Sequence, residues 1–102
     1  MLKYYLIFLF ASFYIFTSAQ ATINWISWQE MISSRANDSV KKKVFIDMYT
    51  GWCGWCKRMD GTTFKDANIV KYMNENYYNI KFEAESRDTI NFNNHQFINS
   101  DP

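Results

Sequence analysis

The sequence predicts an α/β domain built on parallel strands. Three observations carry that: an apolar run at 44–49, an alternating apolar and polar segment at 78–83, and a segment of helical period between them. Two strands joined through helices call for a crossover, and crossovers within one sheet run parallel and right-handed. The chain has 102 residues, 48% hydrophobic and 20% aromatic, which allows one small domain at most.

Residues 1–20 stand apart from that domain. Lys3 is followed by a nearly uninterrupted apolar stretch over 4–16 and then by Thr17, Ser18 and Ala19, the three regions of a secretory signal. Cleavage after Ala19 and after Ala21 both fit. A membrane-spanning helix needs about 20 apolar residues, and this stretch is shorter, so no stable membrane anchor is expected once the signal is removed. The expected organisation is a signal peptide over 1–20 and a domain over 21–102, exported to a periplasmic or secreted location. Lys3 is the sole charge in the leader, and its removal leaves ten basic and ten acidic residues. A balanced chain gives no reason to expect nucleic acid as a partner. The cluster Lys41-Lys42-Lys43 precedes an apolar strand, where a solvated gatekeeper loop is the ordinary reading.

Within the domain, Ile23-Asn24-Trp25 can add a short outer strand. Ser27-Trp28-Gln29-Glu30 matches a capping box, with Trp28, Met31 and Ile32 following at helical spacing, so a short amphipathic helix is expected over 28–36, ended by Asn37-Asp38-Ser39. The strand at 44–49 leads through a Thr50-Gly51 turn into a helix expected from Cys53 to about Met59, broken near Asp60-Gly61. Asp66 can cap a further helix that ends near Asn76, with Ile69, Val70, Met73 and Tyr77 on one stripe. In the second strand Ile80 and Phe82 alternate with polar neighbours. Beyond it, 89–92 and 95–98 flank Asn93-Asn94, a pair suited to the positive φ values of a tight hairpin.

The chemistry is concentrated in Trp52-Cys53-Gly54-Trp55-Cys56, which contains the only two cysteines. At the start of a helix Cys53 would meet unpaired backbone N–H groups at the positive end of the helix dipole. Free cysteine has a pKa of about 8.5, and C-x-x-C cysteines at helix starts fall to roughly 3.5–7.5, which makes a useful fraction nucleophilic at neutral pH. Cys56, one turn further on, shares a face with Cys53 and can resolve a mixed disulfide formed there. Buried structural cysteines, half of a zinc site and a static disulfide compete with this reading. Zinc wants four ligands, and one C-x-x-C with a single distant histidine does not supply them, so no metal is expected. A static bridge over so short a loop stabilises little. No cofactor is called for. His95, the sole histidine, lies far along the chain and reads as a surface residue.

An aspartate within an apolar strand is costly unless it is paired or its proton affinity rises, and a raised affinity suits a base. Asp47, between Ile46 and Met48, is therefore a candidate base for Cys56.

The segment Phe45-Ile46-Asp47-Met48-Tyr49-Thr50-Gly51-Trp52-Cys53-Gly54-Trp55-Cys56-Lys57 resembles the active-site strand and helix start of the thioredoxin superfamily, with Trp55 where thioredoxin itself has proline. The stretch from Met59 through Thr63-Phe64-Lys65-Asp66 to Asn76 is similar to exported thioredoxin-like proteins and to the periplasmic thioredoxin-like domain of bacterial transmembrane thiol reductases. The resemblance runs over about 25–85. It implies a thioredoxin-like α/β fold in which Cys53 attacks, Cys56 resolves and Asp47 is the buried acid, with Trp52, Gly54 and Trp55 facing the substrate. It implies a thiol:disulfide oxidoreductase, preferably in the reductase direction, with protein thiols or disulfides and an upstream redox partner as its partners. Losing proline at position 55 removes a rigid φ at the helix start and alters redox poise. Lys57 can add to the local positive field or simply be solvated.

The superfamily also places a cis-proline loop against its C-x-x-C, whereas the sole proline here is Pro102. The fold is therefore expected to be incomplete: an N-terminal βαβ half with a flanking helix, its 44–49 strand central in the template but lacking one neighbour. The alternative to an enzyme is a truncated fragment, or a module that binds a partner through the open sheet edge.

Overall fold

The structure is a computed structural model that describes residues 21–100. The expected signal peptide over 1–20 lies outside the described residues, as does Pro102. The elements run β1 (Trp25–Ile26), α1 (Trp28–Asn37), β2 (Lys43–Tyr49), α2 (Gly54–Gly61), a 3₁₀ turn (Thr63–Lys65), α3 (Ala67–Asn76), β3 (Tyr77–Glu83), β4 (Ile90–Phe92) and β5 (His95–Phe97).

β1, β3 and β2 form a parallel sheet in that order. The chain therefore crosses the sheet one way from β1 to β2 and returns from β2 to β3. Two right-handed crossovers in opposite directions must place their helices on opposite faces. One face carries Met31 of α1 against Tyr78 and Ile80, with Ile26, Trp28, Ile32, Val44 and Phe82 around them. The other carries Phe64 of the 3₁₀ turn and Val70 and Met73 of α3 with Ile23, packed by Trp25, Phe45 and Tyr77.

Covering both faces changes the expected pattern in β3. Tyr78, Asn79 and Ile80 are buried in succession instead of alternating, as in strands of a two-sided sheet. Asn79, only 1% exposed, is tolerated because its side-chain amide donates to the Met73 carbonyl at 3.2 Å, near the end of α3.

The caps behave as their residue types require. The Ser27 hydroxyl oxygen accepts from the Glu30 amide at 3.1 Å, and one Asp66 carboxylate oxygen accepts from both Asn68 and Ile69 amides at 3.0 Å. Tyr77 leaves the expected helical stripe to start β3, and Ile69 is partly exposed. The outer strand comprises Trp25 and Ile26, with Ile23 turned into the core. The hairpin forms as expected: Asn93 and Asn94 take φ values of 50° and 62°, and Phe92 packs edge-on against Trp28 with ring centres 5.7 Å apart.

The position of β2 differs from the template. Among the described residues β2 pairs with β3 alone, so the central strand is β3, and β2 is an edge with Ile46 41% and Met48 61% exposed.

Candidate active site

The site is built at the carboxyl end of β2, where the chain leaves the sheet. The Tyr49 carbonyl accepts from the Ala84 amide at 2.8 Å, and the Cys53 amide then donates to the Thr50 carbonyl at 3.2 Å, closing the turn that delivers the first cysteine. Cys53 is the N-cap of α2, one residue before the helix proper, which corrects the expected helix start at Cys53. An N-cap side chain accepts from an early helical amide, and the Cys53 sulfur does so from the Cys56 N–H at 3.2 Å. The same donor, with the positive end of the helix dipole, faces a Cys53 thiolate when the site is reduced.

Cys53 and Cys56 are joined in a disulfide, with S–S 2.10 Å and Cα atoms 5.3 Å apart, and both residues are half-buried. Gly54 is the first residue of α2, and open space surrounds the position a Cβ would occupy there. Trp52 and Trp55 are 75% and 73% exposed, so neither is packed into the core. Each is steadied from one side. The Trp52 indole N–H donates to a Glu85 carboxylate oxygen at 2.9 Å, and the Arg58 guanidinium lies 5.3 Å from the Trp55 ring centre. Lys57 is exposed. His95 lies in β5, exposed and beside Phe97.

Asp47 makes its contacts with charged groups. No hydrogen bond among the described residues joins it to either cysteine. It is paired: the Lys81 ammonium donates to Asp47 Oδ2 at 3.2 Å and to Asp60 Oδ1. Asp47 and Lys81 are register partners in the β2–β3 ladder, and Asp60 comes from α2, four residues after Cys56. Three rings surround the ammonium, with centres at 5.1 Å for Trp25, 5.1 Å for Tyr49 and 5.9 Å for Phe64. Burial pulls the Lys81 pKa down, but the hydrogen bonds and charges of Asp60 and Asp47 outweigh it and raise the pKa above its ordinary value.

Lys81, Asp60 and Glu85 were not singled out from the sequence. For Lys81 a signal existed: it is the one charge flanked by apolar residues in the second strand, as Asp47 is in the first. Opposite charges in two neighbouring parallel strands can meet only in one register, so the register was the missing knowledge.

The sequence profile of the family Thioredox_DsbH, described as a protein of unknown function, DUF255, matches residues 7–100. The chain belongs to this family. The Thioredox_DsbH profile and the described architecture agree on a mixed α/β, partial thioredoxin-like fold that carries a nearby cysteine pair. Among curated proteins, an uncharacterized protein of Caenorhabditis elegans is 27% identical over 77 residues, covering 76% of this chain and 10% of its own length. Spermatogenesis-associated protein 20 from Rattus norvegicus and from Homo sapiens is 23% and 22% identical over the same coverage. The chain spans about a tenth of the length of these relatives. No solved structure matches it.

Proposed function

We propose that this Thioredox_DsbH chain is an extracytoplasmic thiol:disulfide oxidoreductase that reduces disulfides of protein substrates and is recharged by an upstream dithiol partner. The observation that carries the reading is the Cys53–Cys56 disulfide placed across the start of α2, with the Cys53 sulfur held as the N-cap. In the reduced protein the Cys53 thiolate attacks a substrate disulfide, forming a mixed disulfide and releasing one substrate thiolate. Cys56 loses its proton, and its thiolate attacks the Cys53 sulfur, releasing the second substrate thiolate as the internal disulfide forms. The two released thiolates take up protons. Two electrons pass from the Cys53/Cys56 pair to the substrate, and a partner dithiol returns them. Trp52 and Trp55 supply exposed apolar faces beside the sulfurs for an extended polypeptide, and Asp47 is the acid that serves Cys56. The leader-like segment over 1–20 is the basis for the extracytoplasmic assignment.

The test uses the full chain with dithiothreitol as the electron source and a disulfide-bonded protein as substrate. Turnover should exceed that of Cys53→Ala, and Cys56→Ser should accumulate a substrate adduct cleaved by reductant. Turnover no greater than in Cys53→Ala would sink the reading. A second reading, a partner-binding module, draws on the single-sided pairing of β2 among the described residues. It predicts capture of a partner that persists in Cys53→Ala.

A further inference from the structure

The cluster of Asp47, Lys81 and Asp60 holds two carboxylates and one ammonium, and that count has a chemical consequence. An isolated Asp47–Lys81 pair would be neutral and would have little appetite for a proton. Asp60 adds one uncompensated negative charge to the same ammonium. Packing favours this arrangement: the Lys81 side chain is 24% exposed and sits among Trp25, Tyr49 and Phe64. Its location relative to the disulfide follows from the helix. Asp60 is four residues after Cys56 on α2, so the two share a face, about 6 Å apart along the axis.

We infer that Asp60 is a positioning residue for the proton transfer at Cys56: through Lys81 it keeps the Asp47 cluster at one net negative charge, which makes the cluster the acceptor of the Cys56 proton. The inference rests on the oxidoreductase reading and deepens it. In the reductive direction the Cys56 thiol gives its proton to the cluster as its sulfur attacks Cys53, and the cluster passes the proton on to solvent. When the internal disulfide is reduced, the leaving Cys56 thiolate takes the proton back. The groups facing the ammonium are Asp47 and Tyr49 from β2, Asp60 from α2, and the Trp25 and Phe64 rings from β1 and the 3₁₀ turn. Lys65 lines the neighbouring groove beside Asp60 and Lys81.

Charge count gives the inference an unusual test, because a second substitution should repair the first. Relative to the native cluster, Asp60→Asn makes the cluster neutral, Lys81→Met makes it doubly negative, and the double variant returns it to one negative charge. Two measurements are made on the full-length protein. Carbon-13 NMR of the aspartate carboxyls follows uptake of the first proton by the cluster, and the pH–rate profile of disulfide reduction follows its use.

The proton-uptake midpoint should fall by about one unit or more in Asp60→Asn, rise in Lys81→Met, and return to the native position in the double variant. The acid limb of the rate profile should move in the same order. Turnover of Asp60→Asn at neutral pH should drop about tenfold or more and recover in the double variant. A merely structural role for Asp60 predicts the reverse, a double variant worse than either single one with midpoints unmoved, and that result overturns the inference. NMR midpoints in the expected order with an unchanged rate profile would overturn the acceptor role. No turnover by the native protein above Cys53→Ala would instead defeat the oxidoreductase reading, leaving the NMR order to decide the charge relation alone.

Discussion

Ile46 and Ile80 are register partners in the β2–β3 ladder, on one row and one face of the sheet, yet Ile80 is 2% exposed and Ile46 41%. Substituting each by alanine removes the same three carbons, so the difference in cost measures how open the outer face of β2 is. At ~0.8 kcal/mol per buried carbon, Ile80→Ala loses ~2.4 kcal/mol by transfer alone. The cavity left between Met31 and Tyr78 brings the total into the range of about 2–5 kcal/mol. Ile46 keeps water on one side, so its loss scales to ~1.4 kcal/mol with little cavity to add. With a urea m-value of ~1 kcal/mol/M, the unfolding midpoint should fall by ~2–5 M for Ile80→Ala and by ~1.4 M for Ile46→Ala. A domain of the 80 described residues has a total stability of only ~4–12 kcal/mol, so Ile80→Ala can approach unfolding in water. Ile80→Val, at ~0.5–1.5 kcal/mol, keeps the comparison measurable. Equilibrium urea unfolding followed by tryptophan fluorescence reads the core through Trp25, whose ring lies 5.4 Å from that of Phe64. Equal losses at the two alanine positions would refute the reasoning, because Ile46 would then be covered in solution.

Removing the α3 cap with Asp66→Ala should cost ~1 kcal/mol, a drop in Tm of about 4–8 °C by calorimetry, while Asp66→Asn, which keeps an accepting oxygen, should lose much less. Lys81 has a folded pKa raised above its ordinary 10.5, so its stabilising contribution is fully present below that value and is lost as pH rises through the folded value. The stability gap between the native protein and Lys81→Met should therefore hold across neutral and mildly basic pH and close well above pH 10.5, as read from unfolding free energies at a series of pH values. Asn94, at φ 62°, occupies a left-handed position, so Asn94→Ala should destabilise by roughly 1 kcal/mol and Asn94→Gly should not, with the hairpin amides reporting the change in hydrogen exchange.

The parts of the fold that were legible are those that local chemistry decides. Ser27 and Asp66 cap helices because their side-chain oxygens reach backbone amides two or three residues ahead, whatever the rest of the chain does. Asn93-Asn94 makes the hairpin because asparagine tolerates positive φ. The same holds for the cysteine pair, whose spacing sets both its proximity and its place on α2. Burial in β3 was less legible because it depends on both faces being covered: Asn79 reads as a solvent-side residue in an alternating strand and is in fact the least exposed side chain of the core region. Asp47 could be recognised as anomalous from its apolar neighbours, but whether it was protonated or paired depended on a residue 34 positions away.

That dependence makes the sheet register a chemical property of the site as well as a packing one. Lys81 sits opposite Asp47 because β2 and β3 pair from Lys43–Tyr77 to Tyr49–Glu83 without a bulge. Successive side chains of a strand point to opposite faces, so a one-residue slip would carry Lys81 to the α1 face and set Ile80 or Phe82 opposite Asp47. The same slip would take Tyr78 and Ile80 out of contact with Met31 and turn them toward α3. Apolar packing on the α1 face therefore fixes the register that places the ammonium on the other face, paired with Asp60 of α2. The Lys81 charge that pairs Asp47 with Asp60 is held in register by hydrophobic side chains on the opposite face of the sheet.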